Sequence, residues 1–271
     1  MILLFDIGNT NTHAGLANDR RVVKQANLPT ADWFNGTAAK LMRQFVGRAR
    51  LDGVAFCSVV PRATPLVRKF VAQLGAPSTG SARKKMHQHA GTVPGVPMLE
   101  LTPKTLCGVG IDYPKPETIG PDRLANAVAA RHRFGAPVVV LDFGTAVTLD
   151  VVNRAGNYAG GIIAPGLAAM TDYLHEKTAL LPRIKIHEIK TSIGKSTEEA
   201  MLVGAVHGYR GLVRELIAEL KRGLKTKRLP VVATGGYAKL MASKLPEISA
   251  VEPNLTLEGL RLVWQGASPH R

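Results

Sequence analysis

Apolar runs that end in a carboxylate and a glycine set the pattern of this chain. Residues 2–5 form an unbroken apolar run, the signature of a strand buried on both faces, which ends in Asp6 and turns through Gly8, Asn9, Thr10, Asn11 and Thr12. Residues 12–17 and 21–25 continue as two further strands. The same order returns at residues 137–148, where an apolar run leads to Asp142, Gly144 and Thr145. Behind it come a strand at 147–153, the turn Arg154-Ala155-Gly156-Asn157 and a strand at 158–164. A repeat this long is not a solenoid period; it predicts two related halves facing each other across a cleft.

Helices are predicted around these hairpins. The pattern of residues 30–47 predicts one with Thr30 as its cap, and Thr64-Pro65 opens another that Gly75 ends. A strand is expected over 53–60. Residues 78–97 show no period and read as a loop, with His87 and His89 as surface residues. Residues 114–120 are broken by prolines and lead into a helix entered at Pro121, which places Asp122 and Arg123 in its first turn. Later helices are expected at 167–181, stopped by Pro182, at 197–220 behind a capping box at Ser196 and Glu199, and at 257–265. Residues 231–234 read as a last strand, and Gly235-Gly236 opens a helix whose N-terminus suits a nucleotide. Gly204, Gly208 and Gly211 recur along 197–220, a spacing that lets another helix approach closely, either from a partner or within one chain.

Composition narrows the function. No apolar run approaches bilayer length, so no membrane partner is expected, and the chain enters its first strand with no basic region before it, which argues against a signal peptide. Cys57 and Cys107 lack CxxC company and read as small buried residues of a cytoplasmic protein. The net charge of +15 suits anionic ligands, yet aromatic residues are only 5%, few for stacking nucleic acid. Its two tight clusters, Arg83-Lys84-Lys85 and residues 221–228, are therefore read as solvated surface. The second follows a helix, where cations complement the dipole.

The candidate chemistry lies in the two turns. Gly8 lets backbone approach an anion, and the neighbouring Asn and Thr side chains add donors. Asp6 would repel phosphates unless a cation stood between, so it reads as a Mg2+ or water-positioning residue, with an ordinary hairpin turn as the alternative. No GxxxxGK[ST] is present: Gly194-Lys195-Ser196 has the ending, but Ile189 stands where the leading glycine belongs. Arg123 in a first helical turn opposes the dipole and invites a functional account, while Asp122 beside it is either part of that or a plain dipole residue.

Several stretches together resemble type III pantothenate kinase, within the actin-like, Hsp70-like and sugar-kinase superfamily. They are Asp6-Ile-Gly-Asn-Thr-Asn-Thr12, Cys57-Ser-Val-Val-Pro61, Gly120-Pro-Asp-Arg123, Asp142-Phe-Gly-Thr-Ala146, Gly160-Gly-Ile-Ile-Ala-Pro-Gly166, Ile193-Gly-Lys-Ser-Thr197, Thr234-Gly-Gly236 and Leu255-Thr-Leu-Glu-Gly-Leu260. The resemblance implies an α/β fold of duplicated actin-like, ribonuclease H-like domains at 1–119 and 120–271, each with a mixed sheet flanked by helices, and an ATP cleft between them. It implies phosphorylation of pantothenate at the start of coenzyme A synthesis. Asp6, Ile7, Gly8, Asn9, Thr10, Asn11, Thr12 and His13 would form the phosphate loop for ATP with Mg2+, and Thr145 would touch the nucleotide. Gly120, Pro121, Asp122 and Arg123 would bind pantothenate with Asp122 as general base, Tyr113 and Thr197 would add contacts, and Asp142 would hold K+ or NH4+. A homodimer is implied as well. Pro121 departs from the family's usual alanine, and Pro114-Lys115 stand where an Asp-Asn pair is usual. Two other readings are a noncatalytic accessory factor for transcription on this scaffold and a kinase for another small hydroxy acid or sugar. The presence of Asp6, Asp122 and Asp142 favours a catalyst.

Overall fold

The computed structural model describes residues 1–74 and 95–267. Gly75, the Arg83-Lys84-Lys85 cluster, His87 and His89 lie outside them, as does the predicted loop at 78–97 apart from its last three residues. The chain divides into two compact units. One comprises Met1–Gly108, Glu117–Ala125 and Thr256–Arg271, the other Val109–Pro116 and Asn126–Leu255.

In the first unit, β1 (Ile2–Ile7), β2 (Asn11–Ala17), β3 (Val22–Pro29), β4 (Gly53–Ser58) and β5 (Met98–Glu100) form a mixed sheet in the order β3-β2-β1-β4-β5. The hairpins β1–β2 and β2–β3 are antiparallel, whereas β4 and β5 join in parallel. Alternation along β1 sends Leu3, Phe5 and Ile7 into a core with residues of α1 (Thr37–Val46) and α2 (Thr64–Leu74). Phe5, Trp33 and Phe70 meet edge to face there at 5.6–6.2 Å, each pair contributing about 0.5–1.5 kcal/mol beyond area burial. The other face receives the last helix, α8 (Leu255–Ala267). Its Leu257 lies against Gly15, and its Trp264 ring fills the space that a Cβ at Gly53 would need.

The second unit repeats this plan. β7 (Val138–Phe143), β8 (Ala146–Val152), β9 (Asn157–Pro165), β10 (Val231–Gly235) and β11 (Ala250–Val251) run β9-β8-β7-β10-β11 with the same senses, and β6 (Gly110–Ile111) adds in parallel to β9. β1 and β7 share one burial pattern: four buried residues, a half-buried aspartate, then a buried residue. Leu141, Phe143, Val147 and Leu149 pack with α4 (Leu167–Lys177), α6 (Tyr209–Gly223) and α7 (Ala238–Ala242). Two mixed sheets flanked by helices are thus the architecture. α3 (Pro121–Phe134) starts at the expected proline and contributes to both units.

Four expectations are corrected. Thr30 is no helix cap: it is buried in a 3-10 turn, Thr30–Trp33, where its hydroxyl donates to the Gly8 carbonyl at 2.7 Å, and α1 starts only at Thr37. α4 stops at Lys177, where Thr178 bonds back to the Leu174 carbonyl and takes the Leu181 N–H, so 178–181 leave the helix. The stretch 197–220 is two helices, α5 (Thr197–Val203) and α6, joined by a π turn at Gly204–Gly208. After Gly235-Gly236 stands only the five-residue α7, which starts at Ala238. Ser196 caps as expected, its hydroxyl accepting the Glu199 N–H at 3.2 Å, while the Glu199 carboxylate accepts the Lys195 N–H at 2.7 Å where a capping box would use that of Ser196.

Candidate active site

The turn after β1 is braced from the core upward. The Trp33 indole donates to Thr12 Oγ1 at 3.1 Å, Thr12 and Thr30 share a hydroxyl bond of 3.0 Å, and Thr30 reaches the Gly8 carbonyl. The Thr30 N–H closes the set on the Thr10 carbonyl. Thr12 and Ile7 are therefore fully buried and hold the loop, while Asn9, Thr10 and His13 are exposed. Gly8 bends so tightly that its N–H bonds the Asn11 carbonyl at 3.0 Å, and an added Cβ would lie 3.0 Å from that oxygen. Partial desolvation lowers the His13 pKa, which favours the neutral ring.

Asp6 and Asp122 occupy one neighbourhood in the first unit. Asp6 pairs in register with Cys57 of β4, whose thiol donates to Asp6 Oδ1 at 3.5 Å. Burial foremost, then the charges of Asp6 and Asp122, push the Cys57 pKa well up, so the thiol stays a donor. Asp122 sits in the first turn of α3, where its Oδ1 accepts the Arg123 N–H at 2.9 Å. Gly120 makes that placement possible, since a Cβ there would lie 2.6 Å from the same oxygen.

In the second unit Asp142 takes the position that Asp6 holds in the first. Asn126 on α3, buried, donates to Asp142 Oδ2 at 3.1 Å. Gly235, at φ 89°, packs close beside Oδ1; a Cβ there would come within 2.6 Å of it. Thr145 is exposed on the turn after β7, and its carbonyl is approached by Gly166 so closely that a Cβ would sit 2.2 Å away. Sequence reasoning missed Asn126. The signal available was its spacing, four residues after Asp122 and so on the same face of the helix.

Tyr113 and Thr197 lie elsewhere in the second unit. The Tyr113 ring packs edge-on against Tyr158 at 6.1 Å and beside Gly160, whose φ of 101° lies in the region that favours glycine. Tyr158 is itself fixed through a 2.9 Å bond to the fully buried Asp150. Thr197 opens α5 on the rim of an apolar cleft of about 770 Å³, lined also by Met170, Tyr173, Leu174, Met201 and Gly204. Gly204, Gly208 and Gly211 are exposed, and a Cβ on any of them would meet nothing within 4 Å. Among the described residues nothing packs on these three positions.

Among the described residues no cluster of three or more His, Cys, Asp or Glu could hold a metal ion. Single carboxylates on glycine turns fit a cation carried largely by phosphate oxygens and water, which is how Mg2+ reaches a nucleotide site. Asp142 presents carboxylate oxygens, one of them bonded by the Asn126 amide, and such hard oxygens are the ligand type that alkali cations take.

A doubled strand order with a carboxylate-and-glycine turn in each copy defines the class, the actin-like ATPase fold. Its backbone matches that of a Sinorhizobium meliloti protein provisionally described as a 2-dehydro-3-deoxygalactonokinase, with a TM-score of 0.57 over 100% of both chains at 13% identity, a likeness of fold alone. The family follows from sequence. Residues 2–219 match the model of type III pantothenate kinase. The chain is 41% identical over 265 residues to the type III pantothenate kinase of Methylacidiphilum infernorum, covering 97% of this chain and 88% of that one. It is 41% identical over 261 residues to that of Akkermansia muciniphila, covering 96% of each. The chain belongs to the type III pantothenate kinase family.

Proposed function

We propose that this protein transfers the γ-phosphoryl group of ATP to the primary hydroxyl of pantothenate, giving 4′-phosphopantothenate for coenzyme A synthesis in the cytoplasm. The observation that carries this reading is Asp122, set beside Arg123 in the room Gly120 leaves, within a chain related over nearly its whole length to pantothenate kinases. The hydroxyl oxygen attacks the γ-phosphorus, the bond to the ADP oxygen breaks, and Asp122 takes the hydroxyl proton. Arg123 clamps the acid of the same substrate, with Gly120 and Pro121 shaping its seat and Tyr113 and Thr197 adding contacts. The turn from Asp6 to His13 and Thr145 receive the nucleotide. Asp6 would hold Mg2+, which would supply neutralisation of phosphate charge, and Asp142 would hold K+ or NH4+ in the equivalent position. A homodimer completes the substrate site.

ATP consumption measured with pantothenate and with a panel of sugars and short hydroxy acids tests the reading. Pantothenate should be the preferred acceptor; turnover confined to a sugar would discard it. The cation assignment makes a separate expectation. Exchanging K+ for Na+ or a bulky organic cation should lower the rate, and a rate indifferent to that exchange removes Asp142 from this role.

A further inference from the structure

Residues 178–196 connect α4 to α5 without helix or strand. A connection of that length inside a compact unit is uncommon, and one that stays in place needs ties. One tie is apolar: Ile184 is buried with Leu202 and Val206, and Ile186, Ile189 and Met201 pack against them. The other is a buried cation reaching out of α6. The Arg210 side chain is 5% exposed, and its Nη1 and Nη2 donate in parallel to Glu188 Oε1 and Oε2 at 3.0 and 2.6 Å. Nη2 also donates to the Leu240 carbonyl at 2.8 Å and to Ser243 Oγ at 3.3 Å. Arg210 Nε is buried with no partner among the described residues, so the guanidinium gives up a bond to keep the fork on Glu188. Hydrogen bonds from Arg210, foremost, hold the Glu188 carboxyl below its ordinary pKa, which keeps the pair charged at neutral pH.

The tied connection ends at the N-cap of α5. With Leu181 it also forms part of the cleft wall that continues through Thr197, Ala200 and Met201. Glu188 lies between the apolar tie to α5 and the helix that carries Arg210, so freeing Glu188 loosens one side of that wall. The geometry points to Arg210 and Glu188 as a positioning pair that sets Thr197 and the cleft wall for the acid substrate, an inference that rests on the role of Thr197 proposed above. Neither side chain touches the reacting atoms. Their contribution is to binding of one substrate and not to phosphoryl transfer.

The two partners are not equivalent as test sites. Removing the Glu188 charge strands a buried guanidinium, whereas Glu188 is 37% exposed and can turn to water when Arg210 is cut back. Arg210→Met is therefore the test variant, with Arg210→Lys, which keeps the charge and loses the fork, as the milder one that carries the test if the first does not fold. In Arg210→Met the KM for pantothenate should rise by about tenfold or more, the scale of a small misplacement, with the KM for ATP and kcat within about threefold of wild type. Arg210→Lys should fall between. Amides of residues 182–203 should exchange hydrogen at least about tenfold faster in Arg210→Met. Unmoved exchange overturns the inference, as does faster exchange with an unmoved pantothenate KM, or a KM for ATP that rises in parallel. A wild-type protein inactive on pantothenate removes the functional reading instead, and hydrogen exchange then decides the clamp by itself.

Discussion

Asp122→Asn should lower kcat by about two orders of magnitude or more while leaving the fold and ATP binding intact, the scale expected when a general base is lost. The substitution is conservative where it matters for structure. Asp122 Oδ1 accepts the Arg123 N–H at 2.9 Å in the first turn of α3, and an asparagine oxygen can accept the same bond. The negative charge is lost, and one acceptor oxygen becomes an NH2 donor. That charge also favours the helix N-terminus, so a stability loss of about 0.3–1 kcal/mol is expected, far too little to empty the folded state. Side effects on Cys57 are small too, since burial leads the causes that keep its thiol protonated. Steady-state kinetics with nucleotide binding measured in parallel separates the outcomes. A variant with near wild-type kcat sinks the assignment, and one that loses ATP binding as well points to misfolding around Gly120.

Much of the site was readable in the chain because its signals are local. Four apolar residues followed by aspartate and glycine read as a buried strand meeting a tight turn, and both copies fold that way, with Asp6 and Asp142 as the half-buried residues of β1 and β7. Proline at the entrance of α3 likewise placed Asp122 correctly in its first turn. What could not be read is what depends on distant partners. Nothing in the periodicity of residues 53–58 says that β4 lies parallel to β1 and sets Cys57 beside Asp6. The same holds for Asn126, whose value comes from Asp142, and for the final helix, whose Trp264 returns to Gly53.

Local signals also misled where tertiary demand outbid them. Thr30 has the chemistry of a cap, but its hydroxyl is taken by the Gly8 carbonyl, where it braces the turn after β1. The apolar periodicity of 197–220 is continuous, and only the glycines at 204 and 208 marked the place where the helix takes its π turn. The basic cluster after that helix is partly answered within the chain, since Arg222 pairs with Glu215 and Glu219. Such exposed pairs contribute little to stability.

Gly208→Leu should yield a folded monomer with most activity gone. At Gly208 the backbone has φ −63° and ψ −41°, ordinary helix that leucine adopts without strain. A Cβ there meets nothing within 4 Å among the described residues and the position is exposed, so the larger side chain can point to solvent. Leucine also favours the helix over glycine, by somewhat less than the roughly 0.8–1 kcal/mol that separates glycine from alanine, so the variant should be no less stable than wild type. Any loss of activity must then come from something that approaches this face. The exposed glycines at 204, 208 and 211 admit a close helix, and the neighbouring cleft rim exposes Met170, Tyr173 and Leu174, apolar side chains that a second copy of the chain would cover. Because Thr197 lies on that rim, losing the partner should remove part of the pantothenate site along with the dimer. Light scattering and kinetics on both proteins check this together. A wild type that is a fully active monomer, or a Gly208→Leu protein that remains an active dimer, would remove this face from the interface.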